Sequence, residues 1–445
     1  MLFGTDGVRG VANADLTPEL AFRLGRAAAA VLGGQGGRPR FAVGRDTRLS
    51  GHLLQSALTA GLLSAGADVV DLGVITTPGV AYLVRRMGCQ GGAVVSASHN
   101  PAEYNGIKMF SGQGFKFPDE VEARIEDLAL SSDSGLPRPV GAGIGRLEDG
   151  EGWRETYLDY LARTIPGPLP SGRVIVDCAH GATSELAPGL LRRAGAEVVA
   201  LHTEPDGLNI NAGCGSTSPQ VLAEAVSAEG AFCGIAYDGD GDRAIAVDER
   251  GRVVDGDAIM GILALSWRER GRLQGGAVVA TVMSNLGLEV FLRQAGVGMI
   301  RTPVGDRHVL EQMLRGGHNL GGEQSGHIIL LDYATTGDGM LTALQFLWTI
   351  GESGRPLSAL AGAIPRFPQI LRNVPLPEGG KYRPTPAVSK ALEEAARILG
   401  EQGRVLVRPS GTEPLVRIMV EGSDEKLVGE VMALLAEVIA REVSA

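Results

Sequence analysis

Short runs of β-branched and other apolar residues alternate along this chain with stretches whose apolar residues recur at helical spacing, and one order of such segments appears three times. In each copy a strand-like run leads into a polar loop, an amphipathic stretch follows, an Ala-Gly pair stops it, and a second β-branched run begins. The first copy runs from Phe41 through Gly44-Arg45-Asp46-Thr47-Arg48, a helix over Leu53 to Ser64, and a strand ending at Val70. The second takes a strand from Val174, a helix near Glu185 to Arg193, and a strand ending at Val199. The third takes a strand from Val278, a helix near Leu288 to Gln294, and a strand ending at Ile300. Gly66, Gly195 and Gly296 fall where a helix C-cap is wanted.

Strand-helix-strand units need crossover connections, which predicts three similar α/β domains with mixed or parallel sheets covered by helices. From about residue 366 the pattern changes to a strand over Arg404 to Val407, a loop, a strand over Leu415 to Val420 and a terminal helix over Asp424 to Val443. That is a smaller C-terminal α+β domain. Proline-bearing connectors at 165–170 and 364–368, with a turn at Asp248 to Gly251, divide the chain into 1–150, 151–254, 255–365 and 366–445.

A chain of 445 residues is too long for one core, in keeping with several domains. Forty-one basic against 51 acidic side chains give a net charge of −10. Such a balance argues against a nucleic-acid partner or an anionic membrane surface, both of which need clustered positive charge. A small anionic substrate held in a local basic pocket stays open. The start MLFGTDGVRG has no basic or apolar leader pattern, and the longest apolar runs, such as Ala258 to Trp267, are short of a bilayer span. A soluble cytoplasmic protein is expected. Cys89, Cys178, Cys214 and Cys233 show no CxxC spacing and lie in or near apolar runs, as free core thiols do.

Ser96-Ala-Ser98-His-Asn-Pro101 directly follows the apolar run Ala93-Val94-Val95. Ser, Asn and Pro make ordinary turns, yet the carboxyl end of a strand is also where open α/β sheets place their chemistry. Asp238-Gly-Asp240-Gly-Asp242-Arg243 lies between two apolar strands. Three carboxylates this close repel one another strongly, and a divalent cation is the remedy. An EF-hand is excluded, because Arg243 stands where that loop needs glycine and strands flank the segment in place of helices. Three oxygen ligands with room for a phosphate oxygen suit Mg²⁺. Arg408-Pro-Ser410-Gly411-Thr412-Glu-Pro with Arg417 makes a cradle for a phosphate dianion. Glu323, Ser325 and His327, at alternate positions before the Ile328 to Leu331 strand, can face one side and hold sugar hydroxyls. Gly44 to Arg48 and Val304-Gly305-Asp306-Arg307 are weaker signals that salt-bridged turns also explain. A serine that carries phosphate beside a cation, with a second phosphate held elsewhere, fits one reaction class: moving phosphate between two oxygens of one sugar. No Gly-x-Ser-x-Gly signature favours a hydrolase.

FGTDGVRG, SASHNP, DGDGDR, GEQSGH and RPSGTEP, in this order over essentially the whole chain, resemble the α-D-phosphohexomutase superfamily. The resemblance implies three α/β domains and a fourth of different fold around a central cleft. It implies Ser98 as the phosphoserine, and Asp238, Asp240 and Asp242 with that phosphate as the Mg²⁺ site. It implies Glu323, Ser325, Gly305, Asp306 and Arg307 for sugar recognition, and Arg408, Ser410, Gly411, Thr412 and Arg417 for the phosphate that is not reacting. Lys108 and His327 are the candidate general acid and base, with Arg9 and Arg243 as charge partners; a base at Lys108 needs a lowered pKa, which a positively charged pocket supplies. His308 stands where tyrosine is expected. Gln324 and the Asn209 to Thr217 segment are similar to the branch that converts glucosamine 6-phosphate into glucosamine 1-phosphate for UDP-N-acetylglucosamine and cell-wall synthesis. A sugar 1,6-bisphosphate is then the intermediate and activator, the partner is a phosphorylated hexosamine, and a homodimer is favoured. The alternatives are a phosphomannomutase/phosphoglucomutase, a Mg²⁺-dependent sugar phosphatase, and a silent scaffold that keeps the motifs.

Overall fold

The computed structural model describes residues 2–4, 6–33, 38–131, 135–377, 382–409 and 415–444. The backbone divides into two compact units, one of residues 1–283 and 299–362, the other of residues 284–298 and 363–445.

The first unit contains three sheets, each centred on one copy of the recurring segment. In the seven-stranded sheet, Arg40–Arg45 runs parallel to Asp68–Val74 on one side and to Gly91–Val95 on the other, while Tyr104–Ser111 lies antiparallel beside Gly91–Val95. The chain thus winds to both sides of Arg40–Arg45, the arrangement in which loops at the carboxyl edge diverge and leave a crevice. The five-stranded sheet pairs Arg173–Asp177 in parallel with Glu197–Leu201 and with Cys233–Tyr237, and adds Ala244–Asp248 antiparallel. The four-stranded sheet pairs Ala277–Thr281 in parallel with Leu320–Gly322, which is antiparallel to Ile328–Leu330. All three are mixed, one of the two kinds of sheet that the crossover argument allows.

Gly91–Val95 and Cys233–Tyr237 are buried at every position, so these apolar strands run through the interior and deliver the polar residues that follow them to its edge. Helices Pro18–Gly33 and Leu49–Ser64 pack tightly against each other because Gly25 and Gly61 face the other helix's backbone: a Cβ at Gly61 would strike the Phe22 carbonyl, and one at Gly25 the Leu58 carbonyl. The helix expected from Leu53 begins at Leu49. Ser50 and Gly51 are poor helix formers, but packing of Gly51 against Arg45 and Asp46 overrides propensity there. All four cysteines are buried and unbridged. Among the described residues no helix is long and apolar enough to cross a membrane.

The second unit has a three-stranded antiparallel sheet in the order Gln369–Pro375, Leu415–Gly422, Gly403–Pro409. Its core lies between that sheet and helices Pro386–Leu399 and Glu425–Ser444, with Ile418, Val428, Leu435 and Ile439 fully buried. The helix Leu286–Gln294, expected in the third repeat, belongs by its contacts to this unit. Asn285 Nδ2 donates to Phe367 O at 2.9 Å, and Arg404 donates to Ser284 O at 2.7 Å.

Candidate active site

Two parallel strands that end side by side set up the serine loop. Asp46 follows Arg40–Arg45, Ser96 follows Gly91–Val95, and Ser96 Oγ donates to Asp46 Oδ2 at 2.6 Å. Ser96 Oγ in turn accepts from Ser98 N at 3.0 Å. Arg48 pairs with Asp46 at 2.9 Å, both side chains being fully buried. Its guanidinium also donates to the carbonyls of Ser98 at 3.0 Å, Asn100 at 2.8 Å, Tyr104 at 3.1 Å, and Pro101. Asn211 Nδ2, from the second domain, donates to Ser98 O at 2.9 Å and Asn100 O at 3.0 Å. The loop so held keeps Ser98 at φ 52°, a left-handed conformation that non-glycine residues rarely adopt and that concentrates at functional positions. SASHNP is therefore no ordinary solvated turn: Ser98 is 1% exposed.

Ser98 Oγ donates to Asp238 Oδ2 at 2.5 Å. Asp238, Asp240 and Asp242 lie together with ligand oxygens within 4.8 Å of one another, all buried. The two glycines between them are structural necessities. A Cβ at Gly239 would meet Ser98 O at 2.7 Å, and Gly241 sits at φ 70° against Thr76 and Thr183. Burial, together with the charges of Asp242 and Asp240, pushes the Asp238 carboxyl well up. Asp242, against the burial that would raise it, is held well below the usual carboxylate range by Lys108, His327 and Arg243. Asp240 Oδ1 is buried and has no hydrogen-bond partner among the described residues, and Asp242 Oδ1 has only longer contacts, to His327 Nδ1 at 3.5 Å and Arg243 Nε at 3.8 Å. Three convergent carboxylates with oxygens left to spare fit a hard divalent cation such as Mg²⁺.

Lys108 corrects one expectation. Its Nζ lies 2.9 Å from Asp240, 3.0 Å from Asp6 and 3.4 Å from Asp242, in a pocket rich in negative charge. Burial disfavours its charge, but these three carboxylates outweigh burial and push its pKa up, the opposite of what a base requires. His327 is 5% exposed, with Nδ1 3.5 Å from Asp242 and Nε2 3.7 Å from Asp306. Burial works against its charge as well, yet Asp242 and Asp306 push it up to about 9. Arg9 pairs with Asp6, and Arg243 N donates to Asp238 Oδ1 at 3.2 Å.

The recognition segments of the third domain meet one another: Gly305 N donates to Glu323 Oε1 at 3.2 Å, and Ser325 Oγ to Glu323 Oε2 at 3.5 Å. Asp306 pairs with Lys116 at 2.6 Å, and Lys116 also reaches Asp6 at 2.7 Å. Arg307 turns toward the first domain, pairing with Asp119, with Glu122 at 3.1 Å and with Phe117 O at 2.8 Å, so its guanidinium serves a domain contact. In the second unit Arg408 and Arg417 stand directly opposite on antiparallel strands. Burial and the neighbouring Arg417 lower the Arg408 pKa, which marks a place where two positive charges crowd. Ser410, Gly411 and Thr412 lie outside the described residues.

The sequence gives no role to Asp6, Lys116 or Asn211 and leaves Asp46 and Arg48 as a weak signal that a salt-bridged turn also explains. The Asp46-x-Arg48 spacing carried a signal, but only complete burial distinguishes this pair from a surface one. Thr77 was also missed; its Oγ1 donates to Asp240 Oδ2 at 2.6 Å.

Four models of phosphoglucomutase/phosphomannomutase domains match the chain in order: α/β/α domain I at residues 1–135, domain II at 155–251, domain III at 255–367 and the C-terminal domain at 371–438. A phosphoglucosamine mutase of Symbiobacterium thermophilum is 55% identical over 99% of both chains, and one of Moorella thermoacetica is 54% identical over 98% of both. Among solved structures, a phosphoglucomutase/phosphomannomutase family protein of Burkholderia thailandensis is similar at a TM-score of 0.83, with 25% identity, 99% of this chain and 97% of that chain. The N-acetylphosphoglucosamine mutase of Aspergillus fumigatus, solved with GlcNAc-6P and magnesium, shares the fold at a TM-score of 0.72 and 17% identity, over 100% of this chain and 96% of that one. With its serine loop and carboxylate trio built as described and its whole length matched in this way, the chain belongs to the phosphoglucomutase/phosphomannomutase family and stands within it among the phosphoglucosamine mutases.

Proposed function

We propose that this chain interconverts glucosamine 6-phosphate and glucosamine 1-phosphate, passing a phosphoryl group through Ser98 Oγ with glucosamine 1,6-bisphosphate as the intermediate, and so feeds amino-sugar nucleotide and cell-wall synthesis. The observation that carries the reading is the buried Ser98 hydroxyl, 2.5 Å from Asp238 at the edge of a three-carboxylate cluster. Phosphoglucosamine mutases matched over nearly the full chain support the choice of sugar.

In each half of the cycle one P–O bond is exchanged for another. A sugar hydroxyl attacks the phosphorus on Ser98, the bond to Oγ breaks, and the proton given up by the sugar hydroxyl is balanced by the one that the departing Ser98 Oγ takes up. The bisphosphate then turns over and returns its other phosphoryl group to Oγ. Asp238, Asp240 and Asp242 would hold Mg²⁺, which supplies neutralisation of charge on the phosphoryl oxygens. Lys108, kept cationic by its carboxylates, is assigned to charge stabilisation beside the reacting group. His327, whose Nδ1 lies 3.5 Å from Asp242 while Nε2 accepts from Gly337 N at 3.1 Å, is assigned as the acid. Glu323 and Ser325 grip sugar hydroxyls, and Arg408 and Arg417 the phosphate that is not reacting, with Ser410, Gly411 and Thr412.

Turnover of glucosamine, glucose and mannose 6-phosphates by the full chain, measured side by side, tests the sugar. Preference for the glucosamine ester supports the reading, and preference for either of the others assigns a phosphoglucomutase or phosphomannomutase. Intact mass of the purified protein tests the serine: a phosphate adduct that disappears in Ser98→Ala, together with loss of turnover on the order of 10³-fold or more, is expected. Wild-type turnover in Ser98→Ala, or release of free phosphate without isomerisation, overturns it.

A further inference from the structure

A second group of donors lies on the five-stranded sheet, apart from the aspartate trio. Strands Arg173–Asp177 and Glu197–Leu201 are parallel neighbours, so the loops that follow them leave the same edge. The first loop carries His180 and the second His202, while Cys214 comes from the Asn209 to Thr217 segment. One ligand atom from each of the three lies within 4.8 Å of the others.

Several features of this cluster are costly unless something binds there. His180 Nδ1 is buried and makes no hydrogen bond, while His202 Nδ1 is held 3.0 Å from Asp177 Oδ1. Buried polar atoms are normally satisfied, so an orphaned imidazole nitrogen beside a second imidazole and a thiol needs an explanation. Ala179, His180, His202 and Asn211 all adopt positive φ, at 53°, 50°, 51° and 59°, which is strain concentrated on the loops that aim these side chains. The imidazole rings meet edge to face with centroids 5.1 Å apart. Asp177 sits beneath, its Oδ1 3.0 Å from His202 Nδ1 while the two oxygens accept from Ala179 N and Gly215 N at 2.9 Å. A carboxylate behind a histidine is the usual support of a metal-bound imidazole. His180 and His202 are partly exposed and Cys214 is buried, which gives an ion an entry path and a closed floor.

We propose that His180, His202 and Cys214 form a second cation site, which takes one borderline-soft divalent ion of the zinc class through two imidazole nitrogens and the Cys214 sulfur. Two nitrogens and a sulfur select such an ion over Mg²⁺, which prefers oxygen, so the two sites separate by donor chemistry. Burial and Asp177 push the thiol up to about 12, and coordination therefore releases the thiol proton as the sulfur becomes a thiolate. The site would act as a clamp on the reactive loops. His180 O accepts from Thr47 Oγ1 at 2.6 Å, Ala182 N donates to Gly239 O at 2.8 Å, and Asn211 N, whose side chain holds Ser98 O, donates to Ala179 O at 2.9 Å.

The test is a titration of the full chain, stripped of metal by chelation, with Co²⁺ in excess Mg²⁺, read by absorption. The expected result is a thiolate-to-cobalt charge-transfer band that saturates at one equivalent and is bleached by Zn²⁺. The band persists in Asp240→Asn, disappears in Cys214→Ser, and needs at least about 100-fold more Co²⁺ in His180→Asn or His202→Gln. If Cys214→Ser does not fold, the two histidine variants decide alone. Absence of the band in folded wild-type protein, its survival in Cys214→Ser, unchanged affinity in both histidine variants, or its loss in Asp240→Asn overturns the site.

Discussion

Ser98 Oγ donates to Asp238 Oδ2 at 2.5 Å across 140 positions of sequence, joining the carboxyl edges of two different sheets. A hydroxyl bonded to a carboxylate this closely makes a strong, directional contact and fixes the hydroxyl against the trio. Asp238→Asn keeps the shape and removes an ionisable ligand oxygen. Turnover is expected to fall on the order of 10²- to 10³-fold. Thermal stability should hold or rise, because one of three repelling buried carboxylates is gone. A coupled assay beside a melting curve checks both; wild-type turnover would remove Asp238 from the reaction.

Arg48 is the central tie of the serine loop. Removing one member of a buried ion pair leaves the other uncompensated, which costs about 3–5 kcal/mol. Arg48→Met therefore destabilises by that amount and, through the freed carbonyls of Ser98 and Asn100, lowers kcat. Denaturant unfolding that finds a loss below about 1 kcal/mol contradicts the burial argument.

Gly239 tests close packing between the two loops. A methyl there meets Ile210 Cδ1 and Ser98 O at 2.7 Å and Asn211 Nδ2 at 2.9 Å. Gly239→Ala should cost about 1–3 kcal/mol and, by displacing Ser98, reduce kcat about 10- to 100-fold. Gly189→Ala is the control: that helical glycine has open space around its Cβ position and should gain roughly 0.5–1 kcal/mol. Equal behaviour of the two variants rules out the steric account.

Asp338 should make stability depend on pH. It caps helix Gly339–Ser353 through Leu341 N at 3.0 Å and accepts from Tyr157 Oη at 2.6 Å. Burial nevertheless pushes its carboxyl from the ordinary 3.8 up to about 6. The folded state thus holds the proton more tightly than the unfolded chain, so this group favours folding fully below about pH 4 and that contribution is lost as pH rises through about 6. The amplitude is on the order of 3 kcal/mol. Asn caps helices as well as Asp and cannot ionise. Asp338→Asn should therefore gain on the wild type between pH 4.5 and 7.5 in denaturant unfolding. Parallel stability profiles would falsify the shift.

Much of this molecule can be read from its letters because the relevant physics is local. Period-2 and period-3.6 patterns, with Gly66, Gly195 and Gly296 as stops, define the repeated units. Asp238-Gly-Asp-Gly-Asp242 announces a cation because like charges at that spacing need one wherever the loop lies. The start of the Leu49–Ser64 helix was less legible, since Ser50 and Gly51 speak against it and only packing speaks for it.

What the sequence by itself determined was the order of the elements, the carboxylate trio and the serine that ends an apolar strand, all short-range consequences of side-chain type. Only the tertiary structure decided what those groups become. Whether Lys108 loses or keeps its proton depends on Asp6, Asp240 and Asp242, each more than a hundred positions from it along the chain, and burial amplifies whichever charges the fold places beside it. The same holds for Asp46 and Arg48, a turn in the letters and a buried support for Ser98 in space.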